Sequence, residues 1–210
     1  MSFRRIALIL ALALLLWGLS GVAVAQVETE ITPTVSWMVG GKASTTGGGT
    51  VKYDNGAAFG IIAGERVETH VVVELSYTVL PTKGHFDPVP GSLASAATEQ
   101  MTIHYVQFGA AYHALTEKVQ PFLSTAWGLS WFRPGRSGIS GDWRLAISAA
   151  LGVKFFPAPG FGIRLQSRIL MPVYFSRGGF WSSIAGGDAR FRAGFPIIQA
   201  DFGVGIVAAF

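Results

Sequence analysis

The sequence predicts an all-β fold, an eight-stranded antiparallel up-and-down transmembrane β-barrel, from three observations. The last nine residues alternate strictly, and one face carries Phe202, Val204, Ile206, Ala208 and Phe210. Seven earlier segments repeat this period of two, which is typical of strands with two unlike faces. Charged residues make up only 13% of the chain, about half the share in an ordinary soluble domain. A barrel that turns an apolar face to lipid accounts for all three.

The first four predicted strands each set apolar side chains against small or polar ones. They cover residues 30–39, 57–67, 70–79 and 101–113. Their apolar faces carry, in order, Ile31, Val35, Trp37 and Val39; Phe59, Ile61 and Ala63; Val71, Val73, Leu75, Tyr77 and Val79; and Val106, Phe108, Ala110 and Tyr112. Strands of about ten residues are long enough to cross a bilayer when they are tilted.

The last four predicted strands cover residues 120–131, 144–155, 162–173 and 202–210. Apart from the closing strand, their apolar faces carry Leu123, Trp127, Leu129 and Trp131; Leu145, Ile147, Ala149, Leu151, Val153 and Phe155; and Ile163, Leu165, Ile169, Met171 and Val173. An even number of strands returns Phe210 to the side of the membrane from which the chain enters.

The connections alternate in length. Long ones are predicted at residues 40–55, 80–100, 132–143 and 174–196, and short ones at 66–69, 115–119 and 157–160. Long outer loops, short periplasmic turns and two periplasmic termini are typical of bacterial barrels.

A soluble lipocalin-like barrel shows the same alternation with its faces exchanged. Two features favour an apolar exterior. The polar face is rich in glycine, which suits a narrow interior, at positions 60, 64, 109, 128, 152, 203 and 205. Aromatic residues stand near strand ends on the apolar face, as in the aromatic girdles of membrane barrels, at Trp37, Tyr77, Trp131, Phe155 and Phe210. We therefore predict that the apolar face contacts lipid, with a soluble periplasmic barrel as the alternative.

The amino terminus has the pattern of a cleaved secretory signal peptide. Two arginines within the first five residues precede an apolar run over residues 6–19, followed by small residues at 23–25. The run is shorter than the about 20 residues that a membrane-spanning helix needs. We predict a signal peptide over residues 1–25 and a barrel domain over residues 26–210.

The chain resembles the small eight-stranded outer-membrane barrel family, which includes the membrane domain of outer membrane protein A. The resemblance rests on Gly-x-x-x-Gly at 60–64, Val-Glu-Leu-Ser-Tyr at 73–77, Gln-Pro-Phe at 120–122 and the final Phe210. It implies a place in the Gram-negative outer membrane, among lipids and lipopolysaccharide. It also implies that the closing strand is read by the barrel assembly machinery, after escort by periplasmic chaperones.

Charged residues on the polar face are predicted to lie in the lumen. They are Glu30, Glu74, Arg144, Lys154, Arg164, Arg168 and Asp201, together with His70. An eight-stranded barrel has room for side chains but not for a wide channel. Because an unpaired buried charge costs several kcal/mol, these charges should pair. The prediction is an ionic network that fills the lumen, and the alternative is a narrow ion path through the same residues.

The predicted function is structural or surface-interactive, through the long extracellular loops. The alternatives are a small porin-like channel for ions or small solutes and a lipid-modifying enzyme. Lipid A deacylases carry His-x-Ser, which this chain lacks, whereas the residue types used by lipid A palmitoyltransferases occur together in one loop as His85, Asp87 and Ser92. We predict that the protein is not an enzyme and that it has no cofactor or metal. Without the two leader arginines, 14 basic and 12 acidic residues remain, a balance that does not favour nucleic acid.

Overall fold

Eight long antiparallel strands close into a barrel. The computed structural model describes residues 28–45, 49–173, 181–185 and 197–210, so the predicted signal peptide lies outside the described residues. The barrel strands are β1 (Thr29–Val39), β4 (Gly56–Glu68), β5 (Val71–Asp87), β6 (Ala97–His113), β7 (Val119–Pro134), β8 (Asp142–Ala158), β9 (Phe161–Val173) and β10 (Gln199–Ala209). The predicted fold class and the strand number are confirmed.

The barrel closes where the first and last strands pair. β1 runs antiparallel to β10, with Glu30 opposite Ala209 and Val39 opposite Ala200. Thr29 N donates to the Phe210 carbonyl oxygen at 2.9 Å, and Phe210 N donates to the Thr29 carbonyl oxygen at 3.0 Å. Closure of this kind leaves no unpaired strand edge, which is the condition for a sheet to reside in lipid.

The two faces are arranged as the alternation predicts. Apolar side chains point outward and are exposed, among them Trp127 at 63% and Leu151 at 64%. Polar and charged side chains point inward and are buried, among them Lys154 and Asp201, both at 0%. In the described part of the chain, no helix has both the length and the apolar character needed to span a membrane.

The strands extend further at the long-connection end than predicted. β5 continues to Asp87 and β6 begins at Ala97. A short hairpin of β2 (Lys42–Ser44) and β3 (Thr50–Tyr53) pairs with this extension of β5. Residues 80–100 were predicted as a loop, and this was wrong for 80–87 and 97–100, which belong to β5 and β6. Residues 40–55 were also predicted as a loop, and this was wrong for 42–44 and 50–53, which form the hairpin. Beyond the lipid-facing zone the pattern inverts: polar side chains point outward, and apolar side chains such as Val51 and Phe86 are buried.

Candidate functional site

Four of the predicted lumen charges form one cluster near the short-turn end of the barrel, the lower cluster. Arg164 donates to Glu74 through two nitrogens, with Nη1–Oε1 at 2.5 Å and Nη2–Oε2 at 3.2 Å. The Lys154 ammonium donates to the Glu30 carboxylate and lies 3.9 Å from Glu74 Oε1. The four residues come from β9, β5, β8 and β1. The cluster therefore ties together strands from different sides of the barrel.

Arg168 and Asp201 form a second pair higher in the barrel. The Arg168 Nη2 atom lies 2.5 Å from Asp201 Oδ2, and Nε lies 3.2 Å from the same oxygen. These residues are cross-strand neighbours on β9 and β10. Arg168 Nη2 also donates to the Thr78 hydroxyl at 3.2 Å, which connects the pair to β5.

Uncharged hydrogen bonds complete the filling of the middle of the lumen. The Tyr105 hydroxyl donates to Gln199 Oε1. The Ser148 hydroxyl donates to Gln107 Oε1 at 3.1 Å. All four residues are buried. The two-residue alternation of the sequence places Gln107 on the polar face. The prediction of lumen residues considered only charged side chains, however, and therefore missed this layer.

Arg144 and His70 are not part of the charge clusters. Arg144 lies higher, with its guanidinium 3.7 Å from the Phe132 ring centroid and Nη2 3.0 Å from Asp142 Oδ2. His70 lies in the turn between β4 and β5, where strand parity no longer applies. Its Nδ1 donates to the His113 carbonyl oxygen at 2.8 Å, and its ring stacks on outward-facing Tyr112. The prediction that His70 lies in the lumen is wrong.

Arg66 enlarges the lower cluster at the short-turn end. Its Nε donates to Glu28 Oε2 at 2.8 Å, and its Nη2 lies 3.5 Å from Glu30 Oε1. His113 is also fully buried at this end. Both residues occupy polar-face positions in the alternating pattern. The alternation could therefore have identified them as lumen residues.

The long-connection end of the lumen is filled by an apolar plug. The plug consists of buried side chains from the strands and from the helix α1 (Trp181–Ala185), including Met38, Tyr53, Leu80, Phe86, Ile103, Phe132, Leu170 and Trp181. The Trp181 Nε1 atom donates to the Tyr53 hydroxyl at 3.4 Å. A Cβ added at Gly84 would lie 2.5 Å from Trp181 Cζ2, so this glycine makes room for the indole.

The interior is thus built in layers: the ionic lower cluster, a polar middle and an apolar plug. Among the residues described, no group of three or more His, Asp and Glu side chains is placed to hold a metal ion. The arrangement can hold the strands together and can obstruct passage along the axis. Ion pairs inside it join Lys154 with Glu30, Arg164 with Glu74, and Arg168 with Asp201.

Neither a protein-family model nor a curated protein matches the sequence. Solved structures do match the fold. Neisserial surface protein A is 14% identical over 87% of this chain and 97% of that chain, with a TM-score of 0.57. The outer membrane protein OprG from Pseudomonas aeruginosa is 12% identical over 88% of this chain and 96% of that chain, with a TM-score of 0.58. The chain has the fold of the small eight-stranded outer-membrane β-barrels.

Proposed function

We propose that the protein is an integral outer-membrane barrel with a closed lumen, acting as a structural or surface-interaction protein through its long connections. The filled interior carries this proposal. The charges of the lower cluster are paired, and Trp181 is fully buried in the apolar plug. A water-filled path needs polar walls throughout, which the plug interrupts.

The same proposal gives the barrel a direction and a set of partners. The long connections face the outside and both termini face the periplasm. Outer-membrane lipids and lipopolysaccharide surround the apolar wall. After a signal peptide has been cleaved, periplasmic chaperones escort the chain and the barrel assembly machinery inserts it.

No catalytic role is included in the proposal. His85 Nε2 donates to both Asp54 carboxylate oxygens at 3.1 Å, and the Thr98 hydroxyl lies 3.0 Å from His85 Nδ1. No hydrogen bond joins His85 to Asp87 or Ser92, all three of which the structure describes. The His85 side chain thus contacts Asp54 and Thr98 rather than Asp87 or Ser92, and this supports leaving a catalytic role out of the proposal.

Cysteine labelling tests the location and the direction together, because the chain has no cysteine of its own. Leu93, 94% exposed in a long connection, and Lys118, exposed in a short turn, are replaced singly by Cys. With a bulky maleimide reagent and intact Gram-negative cells, Leu93→Cys should be labelled and Lys118→Cys should not. Both should be labelled once the outer membrane is permeabilised.

Correct folding of each labelled variant is checked on a denaturing gel, where the unboiled closed barrel should migrate differently from the boiled chain. Labelling of Lys118→Cys alone on intact cells would reverse the direction. Recovery of both variants in the soluble periplasmic fraction, with no heat-dependent shift, would favour the soluble-barrel alternative.

A further inference from the structure

Four rings form a continuous row across the outer wall of β5 to β8, the outer aromatic row: Tyr77, His104, Trp131 and Trp143. Trp143 and Trp131 stack with centroids 5.3 Å apart, and Trp131 and His104 are also 5.3 Å apart. The Tyr77 hydroxyl lies 2.8 Å from His104 Nδ1, which continues the row onto β5. Aromatic rings of this kind mark the height at which a barrel leaves the hydrocarbon and meets the headgroups.

Basic side chains stand on the outer wall directly beyond this row. Arg133 lies 5.7 Å from the Trp131 ring centroid, and Lys83, Lys52 and Lys42 are exposed further toward the long-connection end. In the described part of the chain, none of the four has a carboxylate within 4 Å. The nearby Asp54 carboxylate is already bonded to His85.

Two of these lysines face each other across a strand pair, which lowers the stability of the sheet there. Lys42 lies directly opposite Lys52 in the pairing of β2 with β3. Like charges in this position destabilise a strand pair. The pair adds positive charge beside Lys83, because Lys52 lies opposite His85 on β5, two residues from Lys83.

The same wall holds a depression of about 530 Å³. Its polar lining comes from Lys83, Gln100, Thr102, Asn55 and Asp54, and the Asp54 carboxylate is bonded to His85. Thr102 is the cross-strand neighbour of Arg133 on one side and of Pro81 on the other, two residues before Lys83. Strand spacing and rise then separate the Cα atoms of Arg133 and Lys83 by roughly 12 Å. The depression therefore offers the hydrogen-bond donors of Gln100, Thr102 and Asn55 beside Lys83, and Arg133 stands on the neighbouring strand, opposite Thr102.

We propose that this wall is a binding site for the phosphorylated disaccharide of lipopolysaccharide, with Arg133 and Lys83 each contacting one phosphate. This inference rests on the outward direction proposed above for the long connections. Lipid A carries its two phosphates at opposite ends of a disaccharide, while its acyl chains lie against the wall below the aromatic row. A phospholipid presents one phosphate and would engage only one of the two cations.

A titration of the folded protein in zwitterionic micelles tests the site, with bound lipid counted by native mass spectrometry. Bisphosphoryl lipid A should bind the wild type, and the double variant Arg133→Gln/Lys83→Gln should bind it roughly tenfold or more weakly. Lys118→Gln, which removes an exposed cation at the opposite end, is the matched control and should bind like the wild type. Lipid A stripped of both phosphates should bind the wild type as weakly as it binds the double variant.

Equal affinity of the wild type and the double variant for bisphosphoryl lipid A would overturn the site. Phosphatidylglycerol binding as tight as lipid A would overturn the assignment to lipopolysaccharide. Failure of the proposed function would be seen in a different experiment. In the labelling of intact cells, Leu93→Cys would then not react with the maleimide, or Lys118→Cys would react in its place. The heat-dependent gel shift confirms that each variant is folded before it is titrated.

Discussion

Replacing Glu74 with Gln is expected to lower the free energy of unfolding by about 3–5 kcal/mol, the range found when one partner of a buried ion pair is removed. Glu74 accepts hydrogen bonds from both Nη atoms of Arg164, whose Nε donates to Gln166, and Arg164 is only 2% exposed. Without the carboxylate, Arg164 and nearby Lys154 would be left with excess positive charge in a closed space. Urea unfolding in micelles, followed by the heat-dependent gel shift, measures the change. The variant should still insert.

Two further variants separate loss of the pair from other effects of the substitution. Glu117→Gln neutralises an exposed carboxylate in a short turn, and its unfolding should change by no more than about 0.5 kcal/mol. The double variant Glu74→Gln/Arg164→Met removes both charges and should regain much of the lost stability. An unfolding midpoint for Glu74→Gln equal to that of the wild type would mean that water, rather than Glu74, satisfies these cations, as in an open pore.

Deletion of Phe210 is expected to reduce the yield of assembled barrel in cells far more than it reduces the stability of refolded barrel. Phe210 is 75% exposed on the outer wall, and an aromatic side chain in such a place contributes at most about 2–3 kcal/mol. A barrel closed by eight paired strands should survive that loss. Under our proposal, the assembly machinery recognises the closing strand, whose outward face carries Phe202, Val204, Ile206, Ala208 and Phe210, and assembly is therefore the step that the deletion should impair. Two quantities are measured for the deletion variant and for the wild type: the yield of assembled protein in the outer membrane of cells, and the urea unfolding of refolded protein.

Phe161→Ala is the matched control for this deletion. Phe161 is also an exposed phenylalanine at the short-turn end, and its strand pairs with β10, but it is not terminal. Phe210→Ala keeps the backbone hydrogen bonds to Thr29 and should show the same loss of yield as the deletion. Normal cellular yield of both Phe210 variants would leave Phe210 as ordinary packing at the membrane interface.

The lipid-facing part of the fold could be predicted because one physical rule governs all of it. Each strand there has an apolar side toward lipid and a small or polar side toward the lumen, so parity alone placed Glu74, Arg164 and Asp201 correctly. The rule ends where the strands leave the membrane. The extensions of β5 and β6 invert the pattern. The strands of the β2–β3 hairpin are too short to show a recognisable alternation.

Parts of the site depend on contacts between distant segments, and these have no local signal. Trp181 lies in a long connection without periodicity, yet it fills the notch at Gly84 and seals one end of the lumen. Arg144 lies on the inward face of its strand, as the alternation predicts. Its contacts with the Phe132 ring and with Asp142 hold its side chain near the long-connection end of the lumen. Which carboxylate meets which cation depends on barrel closure and on strand register, neither of which parity specifies.

Planar-bilayer recording of the wild-type barrel tests most directly the claim that the lumen is closed. The protein is refolded from purified denatured chain, so that no host porin accompanies it, and its insertion is verified by the heat-dependent gel shift. The lower cluster and the apolar plug predict a silent membrane over the voltage range in which porins conduct. Stable, discrete current steps from the inserted wild-type protein would contradict the closed lumen and establish the small-channel alternative.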